Sequence, residues 1–382
     1  MDHHASPDRK TALQIFCEEP YRLFFPLGLF TSLIGISHWL WYYAKLTDTY
    51  SCNYHGLFQM QGFEAAFVVG FLMTALPRFL EVPGARPWEI ALALGAFLAT
   101  TGGLYQEHQA TAQTGFLILM GHLSVFAARR YLRRQDELPE TFRLIPFGLL
   151  NALLGSTLIL NPIPGFVKLG ERLVEQGMIL AFILAIAPYL GSRLLDRPER
   201  QPGRVFTLSV GFLLLLSFWI EAGFSDPIGK LLRAAVVTLH IGRTLPPFHR
   251  PRTPLWHLRF LWLSFWCLQL GLWLAGLFPD YEIVALHLTF IGGFSLLTLI
   301  IATRVIAAHC GFEADWAKNP KSLVIMGFAL LLALVSRILA DFYLDYYFGM
   351  LHIGAGFWLT GAIAWALVFL PKLSPSNIDT DD

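Results

Sequence analysis

The sequence predicts an all-α polytopic membrane protein with about twelve transmembrane helices and both termini in the cytoplasm. Three observations point there. The 382 residues are 55% apolar and only 14% charged, with a mean hydropathy of +0.53, whereas soluble domains carry about 25% charged residues. Apolar runs long enough to span hydrocarbon recur along nearly the whole chain. The short links between them alternate in basic content. This composition excludes an ordinary cytosolic protein and a disordered chain, and a net charge of +1 excludes a nucleic-acid binder.

The first apolar run, 21–43, follows a polar, basic stretch and is too long for the apolar region of a signal peptide, so it stays attached. Runs 55–77 and 88–104 flank the Pro- and Arg-containing link 81–88, and 112–128 leads into an arginine cluster. Runs 144–161 and 171–190 come next, then the link 194–204. Beyond it lie 205–222 and 228–246, the link 247–255, and then 256–278, 283–306, 321–342 and 347–370. At 1.5 Å of rise per residue each is a candidate span. No stretch is long enough for a soluble domain. The chain divides into a polar tail (1–20), one membrane domain (21–371) and a second polar tail (372–382).

With a cytoplasmic N-terminus, the inner segments hold Arg9 and Lys10, Arg78 and Arg86, then Arg129, Arg130, Arg133, Arg134 and Arg143. Arg193, Arg197, Arg200 and Arg204 follow on that side, then Arg243, Arg250, Arg252 and Arg259, and finally Arg304, Lys318 and Lys321. The outer segments hold only Lys45, Lys168, Arg172, Lys230 and Arg233. The bias follows the positive-inside rule.

The four cysteines (Cys17, Cys52, Cys267, Cys310) form no CxxC or CxxCH, which argues against a disulfide scaffold, a zinc ribbon and covalently attached c-type haem. Walker, GxGxxG, GxSxG and HExxH motifs are absent, so nucleotide and hydrolase chemistry have no support.

Four segments resemble a known family. They are EEPYRLFFPLGLF (18–30), HGLFQMQGFEAAFVVGFLMTALPRF (55–79), WHLRFLWLSFWCLQLGLWLAG (256–276) and ALHLTFIGGFSLLTLIIATRVIAAHCG (285–311). They resemble the NnrS family, whose second helix reads close to WHAHEMLFGFAAAVIAGFLLTAVP. The resemblance implies a protein of the bacterial inner membrane, linked to nitric oxide metabolism or nitrosative stress and carrying haem and copper. Its implied partners are membrane lipid and nitric oxide or an electron donor. The family's recurrent histidines fall on His55, His257, His287 and His309, and its recurrent arginine on Arg304. One departure matters: the second His of the family's HAH falls on Leu57, and the Glu and Met after it on Phe58 and Gln59. The change removes one family histidine and no Cys/Met cluster replaces it, so copper is the less secure of the two implied cofactors. APYLGSR (187–193) matches the family only loosely at Arg193.

Imidazole within a membrane is either paired or liganded, because an unsatisfied polar group in hydrocarbon is costly. His38, His55, His287 and His352 are predicted near the outer face, His240, His257 and His309 near the inner face, and His122 between them. His287 and His309 begin and end one predicted helix, about 33 Å apart by helical rise, so they cannot share a metal. A haem between two helices needs imidazoles from different helices at one level. His55 and His287 meet that condition and match the family. His38 and His352 meet the depth condition alone and serve as reserve ligands. The plain alternative for each is an interfacial histidine bonded to water or a loop carbonyl. For His257 and His309 a cationic surface among arginines is explanation enough. His3 and His4 fall in the polar tail and His249 in a loop.

Gln59, one turn from His55, either fixes the imidazole tautomer or bonds a neighbouring helix. Glu64 lies about half a turn round from His55 and is either a proton relay or a counter-charge. Arg337 and Asp341, four apart, neutralise each other. Arg304 either holds a haem propionate or anchors the inner face. Gly62 with Gly70, and Gly292 with Gly293, permit close helix packing. The tryptophans and phenylalanines are those of a membrane core and receive no redox role. Two other classes remain open, a secondary transporter with Glu64, Arg337 and Asp341 along its path, and a structural subunit of a respiratory complex. No six-plus-six repeat supports the transporter.

Overall fold

The computed structural model describes residues 11–48, 51–245, 250–312, 316 and 318–374, the side chains of Cys52 and Asn53 excepted, so His3, His4 and His249 lie outside the described residues. The chain is 83% helical and has no strand among the described residues. A short helix, α1 (Ala12–Glu18), precedes twelve long ones. These are α2 (Tyr21–Tyr43), α3 (Tyr54–Phe79), α4 (Pro87–Tyr105), α5 (Gln109–Leu132), α6 (Glu140–Leu160) and α7 (Val167–Leu194). They continue as α8 (Arg204–Gly223), α9 (Asp226–Thr244), α10 (Trp256–Leu277), α11 (Pro279–His309), α12 (Lys321–Phe342) and α13 (Leu344–Leu373).

Ten of the twelve are long and apolar enough to cross a membrane, which makes this an all-α polytopic membrane protein. Helices α4 and α9 fall short of that measure. In α9 the reason is its charge, since Asp226, Lys230, Arg233 and Arg243 all lie on it. The segment ahead of α2 is more ordered than a polar tail. A capping box between Thr11 and Gln14 starts α1, which buries Ile15 and Cys17.

Successive long helices pack side by side, and α13 returns to α2, so the bundle closes on itself. Helices α3 and α7 are the most enclosed, with 83% and 78% of their apolar windows buried. Both, and α11 with them, contain a π-helical turn, at Phe58–Glu64, Leu173–Met178 and Leu288–Ser295. A π turn widens the helix and breaks its 3.6-residue phase, and such turns are frequent at functional sites. The three helices are spaced four apart along the chain, which fits three four-helix units better than two halves of six.

Polar groups inside the bundle find partners across helices. Gln61 of α3 and Gln113 of α5 exchange amide hydrogen bonds of 2.8 and 3.1 Å, and Ser156 of α6 donates to Gln113 Oε1 at 2.7 Å. Near the opposite end from α1, Glu221 of α8 pairs with both Arg172 and Arg233. Arg233 also reaches Gln176 Oε1 at 2.6 Å, and Lys230 binds Asp226 at 2.6 Å and Glu282 at 2.7 Å. Arg233 is only 2% exposed, so removing its carboxylate partner Glu221 would strand a buried charge. This network holds the charged helix α9 against α7, α8 and α11. The small residues behave as expected: a Cβ on Gly70 would lie 3.0 Å from Tyr21 Cα, and one on Gly292 would lie 2.8 Å from Cys267 Cβ.

The arginine-rich connections gather at one end. Arg78 pairs with Glu19 at 2.7 Å, Arg130 with Glu89 at 2.9 Å, and the Gln135 N–H donates to Leu80 O at 2.9 Å. The Glu140 N–H donates to Gln201 Oε1 at 3.0 Å, and the Trp256 N–H to Asn319 Oδ1 at 2.7 Å. Arg22 Nη1 donates to Ser374 O at 3.2 Å, so the two ends of the described chain meet at this same face.

Two outcomes are expected. By the positive-inside rule the arginine-rich face is expected in the cytoplasm; alkaline phosphatase fused after Lys372 will then be inactive, whereas fusion near Glu107 will give periplasmic activity. The opposite pattern at either site would overturn the orientation. Glu19 supplies a pH dependence. Burial pushes its carboxyl up, but hydrogen bonds from Arg22 and Arg78 outweigh this and hold it below the usual carboxylate range. A lowered folded-state value gives stability that is full above the unfolded value, roughly pH 4, and lost as pH falls through the folded one. Thermal unfolding in detergent will therefore show Glu19→Gln less stable than wild type near neutrality, with the two converging in acid. A gap independent of pH would count against it.

Candidate functional site

The three π turns converge on one cavity of about 320 Å³, enclosed with the help of α2, α12 and α13. His55, three residues ahead of the first π turn, and His287, directly ahead of the third, both line it. Helices α3 and α11 thus each supply one imidazole at the same level. His55 Nδ1 lies 3.3 Å from Gly35 O, and His287 Nδ1 lies 2.7 Å from Ile283 O. A carbonyl only accepts, so Nδ1 carries the proton in each ring and Nε2 keeps its lone pair. Metal-ligating histidines are held the same way, by a hydrogen bond from the nitrogen that does not ligate. Trp39 packs against the His55 ring, with centroids 5.6 Å apart.

The second π helix contributes carboxylates. Glu171 and Glu175 of α7 line the same cavity, as does Arg337 of α12. Arg337 donates to Asp341 at 2.7 Å, the pairing their spacing implies. Glu175 makes no hydrogen bond or ion pair among the described residues, and its Oε1 sits over Gly56, where a Cβ would approach within 2.7 Å. Gly56 therefore makes room for the Glu175 carboxylate. The rest of the wall is mainly apolar, with Ile36, Met60, Phe290, Leu351 and Trp358 among it.

Other candidates lie elsewhere. The two reserve ligands do not line the cavity. His38 Nε2 already accepts the Ser51 N–H at 2.9 Å, which uses the lone pair a metal would need. His352 stacks on Tyr43, with ring centroids 4.3 Å apart, and its buried Nδ1 has no partner. Gln59 does line the cavity but bonds α2, accepting from Ser32 Oγ at 2.6 Å and donating to Ser32 O at 3.2 Å. It therefore serves as the helix-to-helix tie, while Gly35 holds the His55 tautomer. Arg304, seventeen residues along α11, is about 25 Å from His287 by helical rise and is not part of the wall.

His309 is at the arginine-rich end, with Nδ1 2.7 Å from Val305 O and its ring 5.4 Å from that of Tyr21. His257, 1% exposed, packs 4.0 Å from Trp316, and neither ring nitrogen has a partner. Neither histidine lines the cavity. His240 bonds Leu184 O at 2.9 Å, and His122 packs by Trp88, 6.0 Å between centroids. Among the described residues, no three His, Cys, Asp or Glu side chains converge as metal ligands. Sequence reasoning missed the two α7 carboxylates. A signal was present: Glu171 and Glu175 are four apart and lead into a long apolar run, so one helix face carries both into the membrane.

Comparison with curated proteins gives no match. The family model described as NnrS protein matches residues 15–376, nearly the full length. That span takes in all twelve long helices and every residue of the histidine cavity, and the chain belongs to the NnrS family.

Proposed function

We propose that this protein binds haem in the cavity between α3 and α11, with His55 and His287 as axial ligands, and that it acts in nitric oxide or nitrogen-oxide metabolism or tolerance at the bacterial inner membrane. One observation carries the reading. Two imidazoles from different helices line one cavity, each with Nδ1 committed to a carbonyl and Nε2 left to ligate. The nitrogen-oxide role is supported by family membership and by no residue chemistry of its own.

The residues present fit a haem. A cavity of about 320 Å³ is within the size range of ligand sites, and its apolar wall suits a porphyrin face and limits water. Bound there, haem would supply a redox-active iron whose potential responds to its ligands and surroundings. The carbonyls of Gly35 and Ile283 keep both ligand rings in one tautomer and orientation. Arg337 puts a cation in the wall, balanced by Asp341. Glu175 places a carboxylate in the same cavity wall that can take up or release a proton. Copper fits less well, because the described residues offer no convergent set of three ligands.

Purified wild type, grown with adequate haem, is expected to show a Soret band that falls severalfold per mole of protein in His55→Ala and in His287→Ala. A folded but colourless wild type would overturn haem binding. Mutants with an unchanged spectrum would overturn these ligands. His257→Ala and His309→Ala are expected to keep the band, because both residues lie outside the cavity. Its loss from either, with the protein folded and membrane-inserted, would place the haem at the other face.

A further inference from the structure

Next to the histidine cavity, nearer the middle of α3, lies a second and smaller cavity of about 70 Å³, bounded by α2, α3, α7 and α11. Glu64 is the single ionisable residue in its described wall. The side chain is 2% exposed. Thr298 Oγ1 donates to its Oε2 at 2.7 Å, while Oε1 has no hydrogen-bond partner. The surrounding elements bring no charge to it. Helix α2 presents Phe25, α7 presents Phe182 and Ile183, and α11 presents Ile301 beside Thr298.

An ionised carboxylate in such a place would have one hydrogen bond, no counter-charge and apolar neighbours, the least favourable setting for a charge. The neutral acid suits it better. One oxygen remains bonded to Thr298, and the other carries a proton toward a space large enough for water, which needs only about 10–15 Å³ by the same measure. The two cavities are neighbours on the same pair of helices. Met60 and Ser295 line the histidine cavity, and Glu64 and Thr298, four and three residues further on, line the smaller one.

We propose that Glu64 is a protonated carboxyl that holds an exchangeable proton in mid-membrane and passes it to and from the histidine cavity. In the outward step the Glu64 O–H bond breaks and a water at the level of Ser295 accepts the proton, leaving the carboxylate; the return transfer restores the acid. This goes beyond the haem reading and does not depend on it.

Infrared spectra of purified wild type, Glu64→Gln and Glu64→Asp, recorded in H2O and D2O near neutral pH, test it. The wild-type minus Glu64→Gln difference is expected to contain a protonated-carboxyl C=O band that moves to lower frequency in D2O. Glu64→Asp should retain a displaced band. Absence of the band, or its replacement by carboxylate stretches, overturns the protonated site. Ser295→Leu obstructs the boundary between the cavities and should slow deuterium exchange of the band; an unchanged rate overturns the route. Colourless and coloured preparations give the same infrared readout, so failure of haem binding and failure of this proposal are separable.

Discussion

A polar group drawn into hydrocarbon has no water to turn to, and the rest of this structure follows from that constraint. The Gln61–Gln113–Ser156 cluster closes on itself. Glu221 stands between two arginines, and Lys230 between two carboxylates. Where the rule is met through backbone carbonyls, as at His55 and His287, the side chain is left with one nitrogen committed and one available. The exceptions are then informative. Glu64 Oε1 and both nitrogens of His257 are buried without a partner.

The π turns explain why the site lies where it does. Each disturbs one helix at a similar depth, and the walls so altered face the same cavity. A regular helix would keep the 3.6-residue phase through these segments and rotate the following residues differently. The break in α3 separates His55, which serves the larger cavity, from Glu64, which serves the smaller one. Family membership covers the whole of this arrangement.

Much of the fold was legible because long apolar runs and arginine-rich links are properties of composition, which the membrane reads residue by residue. The association of His55 with His287 was also legible. The assigned span ends and orientation put them at one depth, and helical rise sets His309 at the far end of the same helix as His287. What could not be read was choice of partner. Nothing in the sequence says that the Ser51 N–H would take His38, or that Ser32 would take Gln59 in place of His55. The charged helix α9 was counted as a span on length, yet beyond the local Asp226 its Lys230 and Arg233 are tolerable only because Glu282 of α11 and Glu221 of α8 come from other helices to meet them. Spacing along a chain does not encode such long-range pairings. The three π turns left no sequence signal, and the third wall of the cavity went unseen although Glu171 and Glu175 sit four apart at the head of an apolar run.

The clasp between Arg22 and Ser374, with α13 packed on α2, carries a consequence for biogenesis. Helix α2 is made well before α13, yet the two end as neighbours. Until α13 emerges, α2 has one flank without its native companion, and the pocket walls contributed by α12 and α13 do not yet exist. The earlier helices can meet their neighbours in turn, but sealing of the ring waits for α13. The cavity's interior can therefore be enclosed only once α12 and α13 are in place.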